Sequence, residues 1–346
     1  MTKKTTIYDI AKKLDITAAT VSRALNNNPK ISPSTSKLVL DTALEMNYKR
    51  NKLAASLQSG KSNNVGVIVP RINTNFLASV IRGIEEELQP EGYQVIICQS
   101  HEDEKTEIEC INTLLNAQVD GIMMSVTNTS EENYKLIERA VQKNVPFIFF
   151  DRKLNIKGVS SVIINDYEIA YRATSQLINE GCNKIAHFSG NREIQIYENR
   201  FNGYKQALLD NNIEFNEDYV IRTKSNFEAG SESMIQLLKL ENPPNAIFSA
   251  SDFAIIGAIQ ELKNSGIKIP EDFCVFGFGN EPFTNFMEVS SIDQSPIEMG
   301  KMAARVFLEQ INTPGNLKME IKVIIKSELK IRKSSLRNSI QTLKTV

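Results

Sequence analysis

Residues 6–26, TIYDIAKKLDITAATVSRALN, decide what the front of this chain can be. Ile7, Ile10, Ala11 and Leu14 recur at helical spacing and make one apolar stripe, with Thr6 placed to cap the first turn. Asp15-Ile16-Thr17 then breaks the pattern. Thr17 can cap a second short helix whose Val21 and Leu25 point inward, leaving Ala18, Ala19, Ser22 and Arg23 on its outward, N-terminal side. Ser32 as cap and Pro33 in the first turn predict a third helix, with Val39, Ala43 and Met46 closing over the other two. Two helices on a tight turn, the second presenting small and polar groups, have the form that enters a DNA major groove. An ordinary three-helix packing unit would show the same periodicity.

Charge separates the two readings. Residues 1–60 hold ten Lys/Arg against four acids, a net of +6, and the remainder holds 30 bases against 37 acids, a net of −7. The whole-chain value of −1 hides a basic head on an acidic body, as expected when one end neutralises phosphates and the other does not.

The run T-I-Y-D-I-A, the T-V-S-R-A-L-N after it, N-Y-x-x-N at 47–51 and L-A-A-S-L at 53–57 resemble the head of the lactose/galactose-repressor (LacI) family. The likeness continues through VGVIVP from 65, FFDR from 149, PEDFCVFGF from 270 and MGKMAA from 299, leaving out only the last dozen or so residues. It implies a ligand-responsive repressor of carbohydrate uptake or catabolism genes. The DNA-facing positions it implies are Thr6, Tyr8, Thr17, Ala18, Ala19, Thr20, Ser22, Arg23, Asn26 and Ser32 in the head, with Asn51, Ala54 and Leu57 in the segment after it.

That segment, 51–61, carries the expected coupling. Asn51 can cap a helix from Lys52 to Gln58 before Ser59-Gly60-Lys61 ends it, and so short a helix does not persist alone in water. On the family resemblance it folds when two copies meet on DNA, with Leu57 wedged into the minor groove. Arg50 stands where a proline is often seen, which adds a possible phosphate contact and loosens the approach to the helix.

From 62 onward apolar strand runs alternate with amphipathic helical patterns. The strands are at 65–69, 94–98, 121–125, 147–150, 161–165, 184–188, 246–250 and 274–278, and the helices at 76–89, 104–117, 131–143, 167–180, 200–211, 227–239 and 252–265. Continuous Val/Ile/Phe strands separated by helices mean an α/β fold of doubly wound parallel sheets covered on both faces. The resemblance adds a two-lobed periplasmic-binding-protein-like body over 62–335. Its N-lobe is expected at about 62–154 and 286–316, its C-lobe at about 155–285 and 317–335, after a helix-turn-helix domain at 1–50 and before a flexible tail at 336–346.

Open parallel sheets bind ligands beyond the carboxyl ends of their strands. On the resemblance the pocket draws on Phe76 and Leu77 after the first strand and Asp151 and Arg152 after the fourth. It also draws on Arg200 to pair polar groups of the ligand, Phe227 against its ring, Ser251 and Asp252, Asn280, and Gln294 on the returning crossover. Where many members carry an acid to hold sugar hydroxyls, Gly277-Phe278-Gly279-Asn280 puts Gly279. With Arg71, Arg152, Arg192 and Arg200 near candidate loops, a more cationic cleft and an acidic sugar, a uronate or sugar phosphate, are expected, with neutral sugars as the alternative.

Enzyme readings find little. GFGNEP at 277–282 lacks the third glycine of a dinucleotide fingerprint and meets Pro282 where a helix should open. The two histidines, His101 and His187, have no nucleophile or metal-ligand partner at motif spacing. The four cysteines form no C-x-x-C pair and read as buried free thiols. No cofactor or metal is expected. Without a secretory leader or an apolar run of spanning length, the expected setting is the cytoplasm, and the rival reading, an extracytoplasmic sugar-binding module, lacks its leader. Two heads on one duplex imply a homodimer and a near-palindromic operator. Leu336, Ile340 and Leu343 in the tail are too few for a coiled coil, so the body should build the dimer.

Overall fold

A computed structural model describes residues 5–48, 61–127, 131–313 and 319–337. The chain divides between Ser62 and Asn63 into two compact units. In the first, α1 spans Ile7–Leu14, α2 Ala18–Leu25 and α3 Pro33–Glu45. Each starts at the expected cap. Thr6 accepts from the Asp9 amide while the Asp9 carboxylate accepts from the Thr6 amide, Thr17 accepts from Thr20 N–H, and Ser32 accepts from Thr35 N–H. Asp15 at φ 53° takes the left-handed turn that ends α1. Ile10, Ala11, Val21, Ala24, Val39 and Ala43 form the buried centre, with Ile7, Leu14, Leu25 and Met46 packed at its edge. Ala18 also packs against this centre, so it is not the outward residue its position at the helix start suggested.

The second unit holds two six-stranded sheets. In chain order the elements are β1 (Asn64–Val69), α4 (Asn75–Leu88), β2 (Gln94–Gln99), α5 (Glu104–Asn116), β3 (Gly121–Met124), α6 (Glu131–Gln142), β4 (Phe147–Phe150) and β5 (Ser160–Ile164). There follow α7 (Asp166–Asn179), β6 (Ile185–Phe188), α8 (Gln195–Asp210), β7 (Val220–Ile221), α9 (Phe227–Leu238), β8 (Ala246–Ser249), α10 (Asp252–Asn264) and β9 (Cys274–Phe278). The last are α11 (Pro282–Phe286), β10 (Ser290–Asp293), α12 (Pro296–Asn312), β11 (Lys322–Ile325) and β12 (Glu328–Lys330). The N-lobe sheet runs β11-β5-β4-β3-β1-β2 with every pair parallel. The C-lobe sheet runs β12-β10-β9-β8-β6-β7, parallel except where β12 meets β10.

The handovers between sheets fall later than the expected 155, 285 and 317. β5 pairs with β4 and so belongs to the N-lobe, and the first crossing comes at Asn165. β10 pairs with β9 in the C-lobe, so the second crossing comes between Asp293 and Pro296. The third lies between Ile325 and Glu328, because β11 pairs with β5. An apolar run such as SVII carries the pattern of a buried strand and nothing about which sheet receives it. Once across, α12 is locked to the N-lobe by close backbone packing on α4. A Cβ on Gly300 would collide with the Val80 carbonyl, and one on Gly83 with the Ile297 carbonyl.

Of the four thiols, all free, Cys182 and Cys274 are buried and Cys98 and Cys110 half-buried. No helix among the described residues is long and apolar enough to cross a membrane.

Candidate nucleic-acid interface and effector cleft

On the head, Ala19 and Arg23 are exposed and Ser22 is half-buried. Tyr8 is 71 % exposed. Thr17 and Thr20 are joined through their hydroxyls at 2.9 Å, Asn26 Nδ2 donates to the Ser22 carbonyl at 2.9 Å, and the Ser32 hydroxyl lies 2.8 Å from that of Thr35. Thr6, Thr17 and Ser32 therefore hold helix starts in place, and the amides of those first turns are the groups that can meet phosphate. Asn51, Ala54 and Leu57, with the expected hinge helix, and Ile340 and Leu343 of the tail lie outside the described residues.

In the body a cavity of about 350 Å³ opens where the two sheets present the carboxyl ends of their strands. The N-lobe wall is Arg71 after β1, Phe76 and Leu77 in the first turn of α4, Glu102 after β2, and Asp151 and Arg152 after β4. The C-lobe wall is Tyr197 and Arg200 on α8, Ser251 and Asp252 after β8, Phe278, Gly279 and Glu281 at the end of β9, and Gln294 after β10. Of the expected pocket residues, Phe76, Leu77, Asp151, Arg152, Arg200, Ser251, Asp252 and Gln294 come together here.

Phe227 and Asn280 do not line it. Phe227 is 41 % exposed at the start of α9, and its neighbours Ser225 and Asn226 face the cavity instead. Asn280 is turned to the far side of its strand end, where its Nδ2 donates to Asp293 at 3.1 Å and its Oδ1 accepts from Arg332 at 2.8 Å. Tyr197, Glu102, Thr223 and Glu281 line the cavity without having been foreseen. Glu102 and Tyr197 follow or precede no apolar run in a way that marks them, whereas Glu281, the next acid after Gly279, was open to inspection.

The arginines are not free. Arg152 donates to both oxygens of Glu102, at 2.9 and 3.4 Å, with Asp151 3.9 Å from its Nε, and Arg71 approaches Glu102 at 3.8 Å. Arg200 is 4 % exposed, donates through Nε to Asp166 at 2.7 Å and through Nη1 to the Ala250 carbonyl at 3.4 Å, and lies 3.5 Å above the Phe278 ring. Burial pushes Asp166 up to about 6 even though Arg200 pulls it down. Arg192 lies off the cavity, paired with Glu198 at 2.7 Å and stacked 3.6 Å above Phe201. The surplus cation that favoured an acidic sugar is thus absent from the depth of the cleft, because each of these arginines already has a carboxylate. Lys224 remains at the exposed rim.

The acid missing at Gly279 is replaced by two others. Asp252 accepts from the Glu281 amide at 2.9 Å and from the Ser291 hydroxyl at 2.8 Å, which pins the turn after β9, and burial pushes it up to about 6. Gly277 leaves room for this carboxylate, since a Cβ there would meet Asp252 Oδ1. Glu281 is 7 % exposed and pushed up to about 7, first by burial and then by the charge of Asp252.

His187 does not face this chemistry. It is buried among Phe201, Tyr204 and Phe248, its Nδ1 sits 2.9 Å from the Phe248 carbonyl, and burial pushes it down to about 3. No group of three metal-ligating side chains occurs among the described residues.

Comparison with known proteins follows the same division. Residues 6–51 match the family described as bacterial regulatory proteins, lacI family, and residues 62–330 the family described as periplasmic binding proteins and sugar binding domain of LacI family. Catabolite control protein A of Priestia megaterium is 32 % identical over 310 residues, covering 89 % of this chain and 92 % of that protein. A structure of the Lac repressor dimer bound to operator and the anti-inducer ONPF superposes with a TM-score of 0.86 at 21 % identity, over 96 % of this chain and 100 % of that one. The transcriptional regulator CelR in complex with cellobiose superposes with a TM-score of 0.71 at 24 % identity, again over 96 % and 100 %.

Proposed function

We infer, from the premise that the chain belongs to the LacI family of DNA-binding transcriptional regulators, that it is a repressor whose hold on DNA is set by a small sugar-like effector in the inter-lobe cleft. The observation that carries this reading is the union, on one chain, of a capped helix-turn-helix head and a cleft lined from the strand ends of two sheets. The Lac repressor is seen as a dimer on operator DNA, and CelR holds cellobiose. By extension we read this protein as a homodimer on a near-palindromic operator, acting in the cytoplasm on carbohydrate uptake or catabolism genes.

Ala19, Ser22 and Arg23 meet the major groove in this account, with Tyr8, Asn26 and the first turns behind Thr6, Thr17 and Ser32 on the phosphates. Asn51, Ala54 and Leu57, outside the described residues, are assigned to the minor groove on the family resemblance alone. An effector that favours one lobe arrangement changes operator affinity through its differential binding to the two states. The extracytoplasmic sugar-binding alternative leaves the head at 6–51 without a role.

The test is binding of the full chain to an operator selected from random duplexes. Arg23→Ala is expected to cost roughly 1–3 kcal/mol and to relax selectivity at one symmetric pair of positions. Unchanged affinity and selectivity would remove Arg23 from the interface.

A further inference from the structure

Below the exposed rim, where Lys224 stands, the cleft holds a buried acid that no described residue pairs. Glu281 is buried against the cavity, and among the described residues no hydrogen bond or ion pair reaches its carboxylate. Its amide is bound by Asp252, so the turn holds the side chain in place without neutralising it. Asp252 adds negative charge beside it. Arg332, whose charge reaches Asp252, donates to Asn280, Val289 and Thr284 and leaves Glu281 without a cation. Gly279, at φ +128°, has a backbone that a side chain cannot readily adopt, so this strand end offers its acid from 281 or not at all. From the end of the neighbouring strand Gln294 also lines this cavity, and its buried Oε1 has no donor among the described residues.

An unpaired carboxyl and an unpaired amide oxygen favour a group that donates, and a cationic donor is the one that also draws Glu281 into its charged form. A hydroxyl pair can donate but brings no compensating charge, and in the depth of the cleft a carboxylate would have to displace Glu102 from Arg152 or Asp166 from Arg200, with only the rim residue Lys224 left to meet it. An ammonium supplies three N–H donors and the opposite charge together. We propose that Glu281, with Gln294 at the end of the adjacent strand, recognises a protonated amine on the effector, so that the ligand of this cleft is an amino sugar.

This inference rests on the effector-cleft reading above, and the experiment separates their failures. The full chain is titrated near pH 7 with glucosamine, galactosamine and mannosamine, with the matching neutral hexoses, and with glucuronate and galacturonate, reading thermal shift and calorimetric affinity. At least one amino sugar should bind about tenfold or more tightly than its neutral counterpart, the scale of a charge-assisted bond. Glu281→Gln should erase that preference, bringing the amino sugar and its neutral counterpart to equal affinity, with operator binding by the head read alongside to show that the variant is folded. A neutral or acidic sugar binding as well as its amino counterpart overturns the amine assignment and leaves the cleft reading intact, as does a Glu281→Gln protein that keeps the preference. Silence across the whole panel overturns the amino-sugar and sugar-cleft readings together, while operator binding tests the head separately.

Discussion

The two lobes share a strand order and differ in how their cleft walls are charged. On the N-lobe wall, Arg71 and Arg152 converge on Glu102, and Arg152 also neighbours Asp151, so charge is closed within the wall. On the C-lobe wall one pair, Arg200 with Asp166, is sealed in the interior, and one acid, Glu281, stands open to the cavity. The shared strand order sets where side chains emerge, and the individual residues after each strand decide whether an emerging charge is structural or available. A charge answered by the protein holds the wall. An unanswered one can select a ligand.

The largest expected effect breaks the C-lobe's internal pair. Arg200→Ala leaves Asp166 buried without its partner and is expected to cost about 3–5 kcal/mol in urea unfolding. The double replacement Arg200→Met with Asp166→Leu should recover most of that loss, which would distinguish a structural pair from a ligand contact. Loss of effector response in Arg200→Ala alone would therefore not locate the effector.

A smaller loss is expected from the N-lobe, where the fold depends on close backbone approach. Gly300→Ala drives a methyl into the Val80 carbonyl and should cost roughly 1–3 kcal/mol as α12 is pushed off α4. An unchanged unfolding midpoint would mean that the helix pair can separate at little cost.

The smallest effect concerns pH. Glu281 is raised from 4.5 to about 7, so between those values the folded chain keeps a proton the unfolded chain has lost, and stability falls as pH rises through that window. Glu281→Gln removes the charge that the folded chain carries above it. The variant should melt above the parent near pH 8, and the difference should shrink as pH is lowered toward about 5. A constant difference across that range would show that Glu281 is already answered in solution.

Much of the frame was legible in sequence because it rests on local chemistry. Thr6, Thr17 and Ser32 cap the helices they were expected to cap, and the VGVIV, FIFF and CVFGF runs are buried parallel strands. Features set by distant partners were not legible. α8 begins at Gln195 rather than near 200, and its first turn has no side-chain cap to announce it. β10, β11 and β12 are short strands whose placement depends on which sheet has an edge free. Arg200 matched a pocket position, yet its pairing with Asp166 spans 34 residues of sequence and no spacing rule predicts it. Asn280 and Phe227 sit at strand and helix ends as expected, but the turn at Gly279 and the start of α9 aim them elsewhere. Position along the chain located the cleft, and side-chain direction decided its chemistry.

The most direct test measures affinity of the full chain, at one salt concentration, for its selected operator and for a scrambled duplex, each with and without the sugar that binds the cleft. The operator should be preferred over the scrambled duplex by at least about a thousandfold, and operator affinity should change by roughly 5–150-fold when the sugar is bound. Equal affinity for the two duplexes, or an operator affinity indifferent to an occupied cleft, would contradict the repressor reading.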